Sequence, residues 1–179
     1  MKTRQSKKYI FSILFMAFLV CLDQYTKYLS IVNLREKNDI ILIPGVLQLH
    51  YLENTGAAFS MLEGGRMFFA ILTPILVIVL LYIFIRMPQD KKFNFLSLSI
   101  LFLVAGAVGN YIDRILNGYV VDFIYFSLIN FPVFNVADCY VTVSVFVLML
   151  LILFYYKDQD LEEIKRSLKI SNGRNKADN

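Results

Sequence analysis

The sequence predicts an all-α membrane protein: a four-transmembrane-helix bundle with a small extracytoplasmic β-hairpin or sheet between helices 1 and 2. Three observations predict it. Of the 179 residues, 58% are hydrophobic, against roughly 45–50% in soluble domains, and the mean hydropathy is +0.59. The apolar residues gather into four blocks, each long enough at about 1.5 Å per residue to cross roughly 30 Å of hydrocarbon. Between the first and second blocks the pattern changes from continuous apolar runs to period two, the mark of a half-buried strand.

The first helix is expected over about 9–29. Lys2, Arg4, Lys7 and Lys8 precede the run Tyr9 to Leu22, which resembles a signal peptide ending at Cys21. Val20 is a poor small residue before that cysteine, and the chain continues as Asp23-Gln24-Tyr25-Thr26-Lys27, so a retained helix with a polar far end is the better reading. Residues 33–66 form the β region, in which Ile40 to Ile43 meets the breaker Pro44-Gly45 and then Val46 to Leu52. Leu47, Leu49 and Tyr51 alternate onto one face. The loop Glu53-Asn54-Thr55-Gly56-Ala57-Ala58-Phe59-Ser60 follows, polar and then small.

The second helix spans 67–85 and contains Pro74; the third spans 93–112. In the third, Ala105, Gly106 and Gly109 allow another helix to approach closely. Phe123 to Phe134 reads as an aromatic interfacial connection, 136–156 as the fourth helix, and 157–179 as an exposed, partly disordered polar tail on the cytoplasmic side. Residues 1–156 form one membrane-embedded unit.

Four crossings put both termini on one side. That side collects most of the Lys and Arg, leaving Lys27, Arg35, Lys37, Arg66 and Arg114 on the other, so the positive-inside rule places both termini in the cytoplasm. The net charge of +4 therefore suits anionic lipid, and nucleic acid is not expected as a partner. Cys21 and Cys139 lie in apolar runs without metal-binding spacing and read as small packed hydrophobes. A lone histidine, His50, leaves no multi-histidine metal centre; it is expected to pack on the hairpin and bond to a neighbour.

The same topology gathers Asp23, Asn54, Asn110, Asp113, Arg114, Asp122, Asn135 and Asp138 at the outer membrane face. Charges there are costly and mark function. Two neighbouring buried carboxylates split into a protonated and an ionised member, the arrangement with which aspartic proteases activate water. Asp122 and Asp138 fit that description, although either could instead bond to backbone or to Arg114. Asp23 and Lys27, four apart, read as a structural helical ion pair. Asn110 and Asp113 share a helix face. Asn110 and Arg114 either brace the carboxylates or bind a substrate carbonyl or lipid head group; alternatively, Arg114 caps its helix and snorkels. Asn54 with Gly56 either orients a substrate backbone or makes an Asx turn.

Five blocks carry a resemblance: Asp23-Gln24 with Lys27, Asn54-Thr55-Gly56-Ala57-Ala58-Phe59, Gly106 to Arg114, Val121-Asp122-Phe123, and Phe134-Asn135-Val136-Ala137-Asp138. In this order within four helices, the sequence resembles the bacterial lipoprotein signal peptidase family, signal peptidase II. The resemblance implies an aspartic endopeptidase of the cytoplasmic membrane that cuts prolipoproteins before a diacylglyceryl-modified cysteine. It implies Asp122 and Asp138 as the catalytic dyad, Asn54, Asn110, Arg114 and Asn135 as supporting or substrate-contacting residues, and Asp23 as mainly structural; beside these, Gly56 is grouped with Asn54 as a supporting residue, and Lys27 and Asp113 read as structural polar residues. It also implies membrane lipid and a globomycin-type inhibitor as partners, with no metal and no cofactor. The polar tail after Tyr156 is longer than the fold needs. Three other readings are weaker. A proton-conducting transporter wants carboxylates at mid-membrane, a Mg²⁺-dependent lipid transferase wants them facing the cytoplasm, and a structural subunit gives no reason to bury so many charges.

Overall fold

The structure, a computed structural model, describes residues 2–56 and 65–169. Its elements run α1 (Lys2–Leu34), β1 (Ile40–Ile43), β2 (Leu47–Asn54), α2 (Gly65–Arg86), α3 (Asn94–Leu116), β3 (Val120–Tyr125), α4 (Val136–Leu150) and α5 (Asp158–Leu168), with a π-helical stretch, Leu151–Tyr155, extending α4. Helices α1 to α4 are each long and apolar enough to cross a membrane.

Helix α3 is the centre of the bundle, packing against α1, α2 and α4. Its glycines explain how closely. A Cβ on Gly106 would lie 2.6 Å from the Ala137 carbonyl oxygen of α4, and one on Gly109 would lie 2.5 Å from Asp23 Oδ2 of α1. Both contacts are too short for any side chain, so these two positions set the spacing around the site.

Helix α1 continues five residues beyond its expected end at 29. Leu19, Asp23, Lys27, Ser30 and Leu34 are all buried and recur at helical spacing, so the face that packs on α3 persists through the polar segment. Glu36, at φ 58°, ends it, and Lys37 Nζ donates to the Val32 carbonyl at 2.7 Å. Cys21 lies on the exposed side of α1 rather than packed, and both cysteines are free.

The β region is a three-stranded antiparallel sheet in the order β1-β2-β3. Gly45 turns the hairpin at φ +71°. The expected alternation along β2 is absent from its burial, because Leu47 to Tyr51 are all half-buried. As the middle strand it is flanked on both edges, and both its faces are partly covered. The third strand runs into the start of the segment read as an aromatic connection, Phe123 to Phe134, and its residues Val120 to Phe123 are buried. Phe134 then pairs back onto it: the Phe123 and Ile124 amides donate to the Phe134 carbonyl at 3.0 and 2.8 Å, and the Phe134 amide donates to the Ile124 carbonyl at 3.0 Å. This stitch ties the start of α4 to β3.

At the opposite end of the bundle, the polar tail forms a helix through Leu168 where a partly disordered segment was expected. Helix α5 has an apolar face: Leu161 and Ile164 pack on the cluster containing Met87, Phe93 and Tyr156. Lys92 pairs with Asp160 at 2.7 Å and Glu163 at 2.9 Å. Arg86 and Tyr82 of α2 donate to the carbonyls of Ser167, Lys169 and Leu168.

Candidate active site

Two elements deliver the two carboxylates. On β3, Asp122 stands opposite Leu52, and Val120 opposite Asn54, so Asn54 and Asp122 are diagonal neighbours on one face of the sheet. On α4, Asn135 is the N-cap and Asp138 the third residue of the first turn, and together they form a capping box. The Asn135 side chain accepts from the Asp138 amide at 3.0 Å, and Asp138 Oδ2 accepts from the Asn135 amide at 3.1 Å. This motif satisfies two amides that a helix start otherwise leaves open. It also fixes where Asp138 points.

The amides then join the carboxylates. Asn135 Nδ2 donates to Asp122 Oδ1 at 2.7 Å and to Asn110 Oδ1 at 3.0 Å. Asn110 Nδ2 donates to Asp138 Oδ1 at 2.8 Å. On the far side, Asn54 Nδ2 donates to Asp122 Oδ2 at 2.8 Å, while Asn54 Oδ1 accepts from the Gly56 amide at 2.9 Å. Asn54 therefore makes the Asx turn, one of its two readings from the sequence, with Gly56 supplying the φ of +77° that the turn needs, and it also binds a carboxylate, which the sequence reading did not foresee.

Asp122 is 1% exposed, and that burial pushes its carboxyl up to about 6. The N–H groups of Asn54 and Asn135 and the Lys27 ammonium oppose the shift, and the charge of Asp138 adds to it. Asp138 is only partly buried. The two carboxylates are thus unequally buried.

Behind the pair lies a charge cluster. Lys27 Nζ is 3.0 Å from Asp23 Oδ2 and 3.0 Å from Asp113 Oδ2; the three residues are 2%, 0% and 3% exposed. Asp23 Oδ1 accepts the Ala137 amide at 2.9 Å and Asp113 Oδ2 the Val121 amide at 3.1 Å. The expected Asp23–Lys27 pair is present, and Asp113 completes it.

Arg114 Nη1 donates to the Asn110 carbonyl at 3.3 Å, and its guanidinium lies 4.6 Å from the Phe69 ring centroid, in reach of the charges of Asp138 and Asp122. His50 Nδ1 meets Asp39 Oδ1 at 2.9 Å. Residues Ala57 to Ser60 of the small loop lie outside the described residues. Two participants were given no role from the sequence, although Gln24 stands in the Asp23-Gln24 block. Gln24 Nε2 donates to the Gly109 carbonyl at 3.1 Å and to Asp113 Oδ1 at 3.0 Å; its place beside Asp23 was its only signal. Phe69 had none, being one phenylalanine among many in an apolar helix. Among the described residues no three His, Cys, Asp or Glu side chains are grouped to hold a metal ion.

A family model and close relatives point to one family. A family model for signal peptidase (SPase) II matches residues 15–154. The lipoprotein signal peptidase of Enterococcus faecalis is 46% identical over 129 residues, covering 72% of this chain and 79% of that protein. That of Staphylococcus aureus is 39% identical over 163 residues, covering 89% and 99%. A solved bacterial membrane enzyme, 39% identical, superposes with a TM-score of 0.72 over 81% of this chain and 94% of its own. The matched span takes in all three strands, α1 from residue 15 onward and the whole of α2, α3 and α4, and the chain belongs to the signal peptidase II family of bacterial membrane proteases.

Proposed function

We propose that this chain is an intramembrane aspartic endopeptidase that removes the signal peptide from prolipoproteins by cutting before a diacylglyceryl-modified cysteine, with Asp122 and Asp138 as its dyad. The observation that carries the reading is the single amide, Asn135, that binds Asp122 and caps the helix turn bearing Asp138. It joins two carboxylates from separate elements into one unit.

In the proposed reaction one member of the dyad is ionised and takes a proton from water, while the other holds a proton and donates it to the scissile carbonyl oxygen. The water oxygen bonds to the carbonyl carbon, giving a tetrahedral diol. Collapse of the diol breaks the C–N bond as a proton passes to the leaving nitrogen, which becomes the amino terminus of the lipidated cysteine. Arg114, held over Phe69, is suited to a carbonyl or head-group oxygen near the dyad, and Asn54 reaches Asp122 from the sheet side.

The site lies at the sheet end of the bundle. The excess of Lys and Arg at the other end supports an orientation with both termini in the cytoplasm and the site at the extracytoplasmic face. There a signal-peptide helix can enter from lipid while its cleavage point meets water. A globomycin-type cyclic peptide would compete for the same place. The test is to incubate purified protein in detergent with a prolipoprotein peptide, with and without the diacylglyceryl group, and to map products by mass spectrometry. Cleavage of the lipidated peptide alone, on the amino side of its cysteine, is the expected result; equal cleavage of both, or cleavage elsewhere, overturns the specificity.

A further inference from the structure

The hydrolysis proposed above uses no lysine, yet Lys27 is buried directly behind the dyad. Its ammonium has three donors and no acceptor. Two face Asp23 and Asp113, and the third donates to Asn110 Oδ1 at 2.9 Å. That third bond has a consequence for the carboxamide. If Asn110 flipped, its NH₂ would face an ammonium, donor against donor. Lys27, together with Asn135 Nδ2, which donates to the same oxygen at 3.0 Å, therefore holds the oxygen inward and leaves Nδ2 on Asp138 Oδ1.

The lysine is itself located by the two elements that carry the dyad. Asp23, one of its partners, accepts the Ala137 amide at the start of α4; Asp113, the other, accepts the Val121 amide next to Asp122. Charge balance alone explains the carboxylates around Lys27. It does not explain why the remaining donor is spent on a neutral amide whose other end touches Asp138.

We infer that Lys27 is a positioning residue for the hydrolysis, acting through the Asn110 carboxamide to hold an N–H donor on Asp138. The inference rests on the dyad reading. Asp122 is faced by Asn54 from β2, by Asn135 and Asp138 from the start of α4, by Arg114 from α3 and by Lys27 from α1, with Asp113 bonded to the adjacent Val121 amide. Loss of the Lys27 charge removes one of the influences holding the Asp122 midpoint down. The limb of the pH–rate profile that reports Asp122 then moves to higher pH.

The experiment compares Lys27→Met, Asp113→Asn and the double variant Lys27→Met/Asp113→Asn, in which one buried anion leaves with the cation and the net charge of the cluster is kept. Each is made with and without Asn110→Ala, and folding is checked by thermal unfolding in detergent. The double variant is expected to fold, to lose about ten- to a hundredfold in kcat relative to Asp113→Asn with KM changed less than about twofold, and to show the shifted pH limb. In the Asn110→Ala background the same replacement should cost less than about twofold more, because the path through Asn110 is already cut. Turnover by the double variant at the rate of Asp113→Asn overturns the inference, as do losses at Lys27 and Asn110 that simply multiply. If neither Lys27 variant accumulates folded while Asn110→Ala does, the lysine is structural and the inference is lost. Asp122→Asn and Asp138→Asn serve as controls: activity in either one removes the dyad reading itself, whereas inactivity in both beside a fully active double variant removes only the role of Lys27.

Discussion

Replacing Asn135 separates what holds the site together from what makes it react. The residue is fully buried. Asn135→Ala removes the α4 N-cap, costing about 1 kcal/mol, the bond to the Asp122 carboxylate, about 1.5–3 kcal/mol, and the bond to Asn110, about 0.5–1.5 kcal/mol. The total is roughly 3–5.5 kcal/mol, large enough to lower both folded yield and activity. Asn135→Asp distinguishes the two. Aspartate is an equally good N-cap, so the helix start survives, but a carboxylate oxygen replaces the Nδ2 that lies 2.7 Å from Asp122 Oδ1. Two charges at that distance repel by about 6 kcal/mol at an effective dielectric of about 20. The new pair relieves this by sharing a proton, which disables Asp122 at neutral pH. Thermal unfolding and peptide cleavage measured side by side on both variants should show Asn135→Ala unstable and inactive, and Asn135→Asp more stable than Asn135→Ala at mildly acidic pH but inactive at pH 7. An Asn135→Asp enzyme with wild-type turnover at pH 7 would refute the reasoning, since Asp122 would then not need the amide.

Three further outcomes follow from the geometry. Because burial raises the Asp122 carboxyl to about 6, the folded state binds a proton that the unfolded chain has released by that pH; the stabilising contribution is complete below about pH 4 and is lost as pH rises through 6. Asp122→Asn should therefore gain on wild type by up to about 3 kcal/mol between pH 4 and pH 8, read from denaturation midpoints; a pH-independent difference contradicts the shift. Gly109→Ala should sharply reduce folded protein, since its Cβ would lie 2.5 Å from Asp23 Oδ2 and displace a carboxylate that Lys27 and the Ala137 amide both require; normal yield and unfolding midpoint would show that α1 can yield. Arg86→Ala should release the end of α5, which it holds through the Ser167 and Lys169 carbonyls, so that trypsin cuts faster at Lys165 and Arg166 while peptide cleavage continues at its usual rate.

Much of the bundle was legible because lipid imposes a simple rule: spanning segments must be long, apolar and helical. The four helices and the hairpin could be placed from pattern alone, and their alternation brought the polar residues to one end. Helix ends were less legible. Residues 30–34 of α1, Ser-Ile-Val-Asn-Leu, lie beyond the polar segment that was read as the helix end, but their buried face continues the stripe through Lys27, and only the packing against α3 reveals it. The third strand was hidden because Val121, Phe123 and Tyr125 read equally well as interfacial aromatics and apolar residues; partnership with β2, some seventy residues earlier, decides the matter. Helix α5 was missed for a similar reason. Its composition is that of a solvated tail, and two apolar residues three apart, Leu161 and Ile164, are a faint signal until Lys92 and Arg86 are seen holding it.

At the site itself, residue identities were readable and bond directions were not. The five blocks named Asp122, Asp138, Asn54, Asn110, Asn135 and the Asp23–Lys27 pair. That Asn135 is a helix cap whose amide also binds a carboxylate follows only from the Phe134 stitch between β3 and α4. The placement of Arg114 over Phe69 joins two helices with no sequence relationship.

The most direct test of the central claim is cleavage of a diacylglyceryl-modified prolipoprotein peptide by wild type, Asp122→Asn and Asp138→Asn, each confirmed as folded, with and without EDTA. Cutting before the lipidated cysteine by wild type in both conditions, and none by either variant, is the expected outcome. Activity in a folded Asp→Asn variant, or loss of wild-type cutting in EDTA, would contradict an aspartate dyad as the group that activates water.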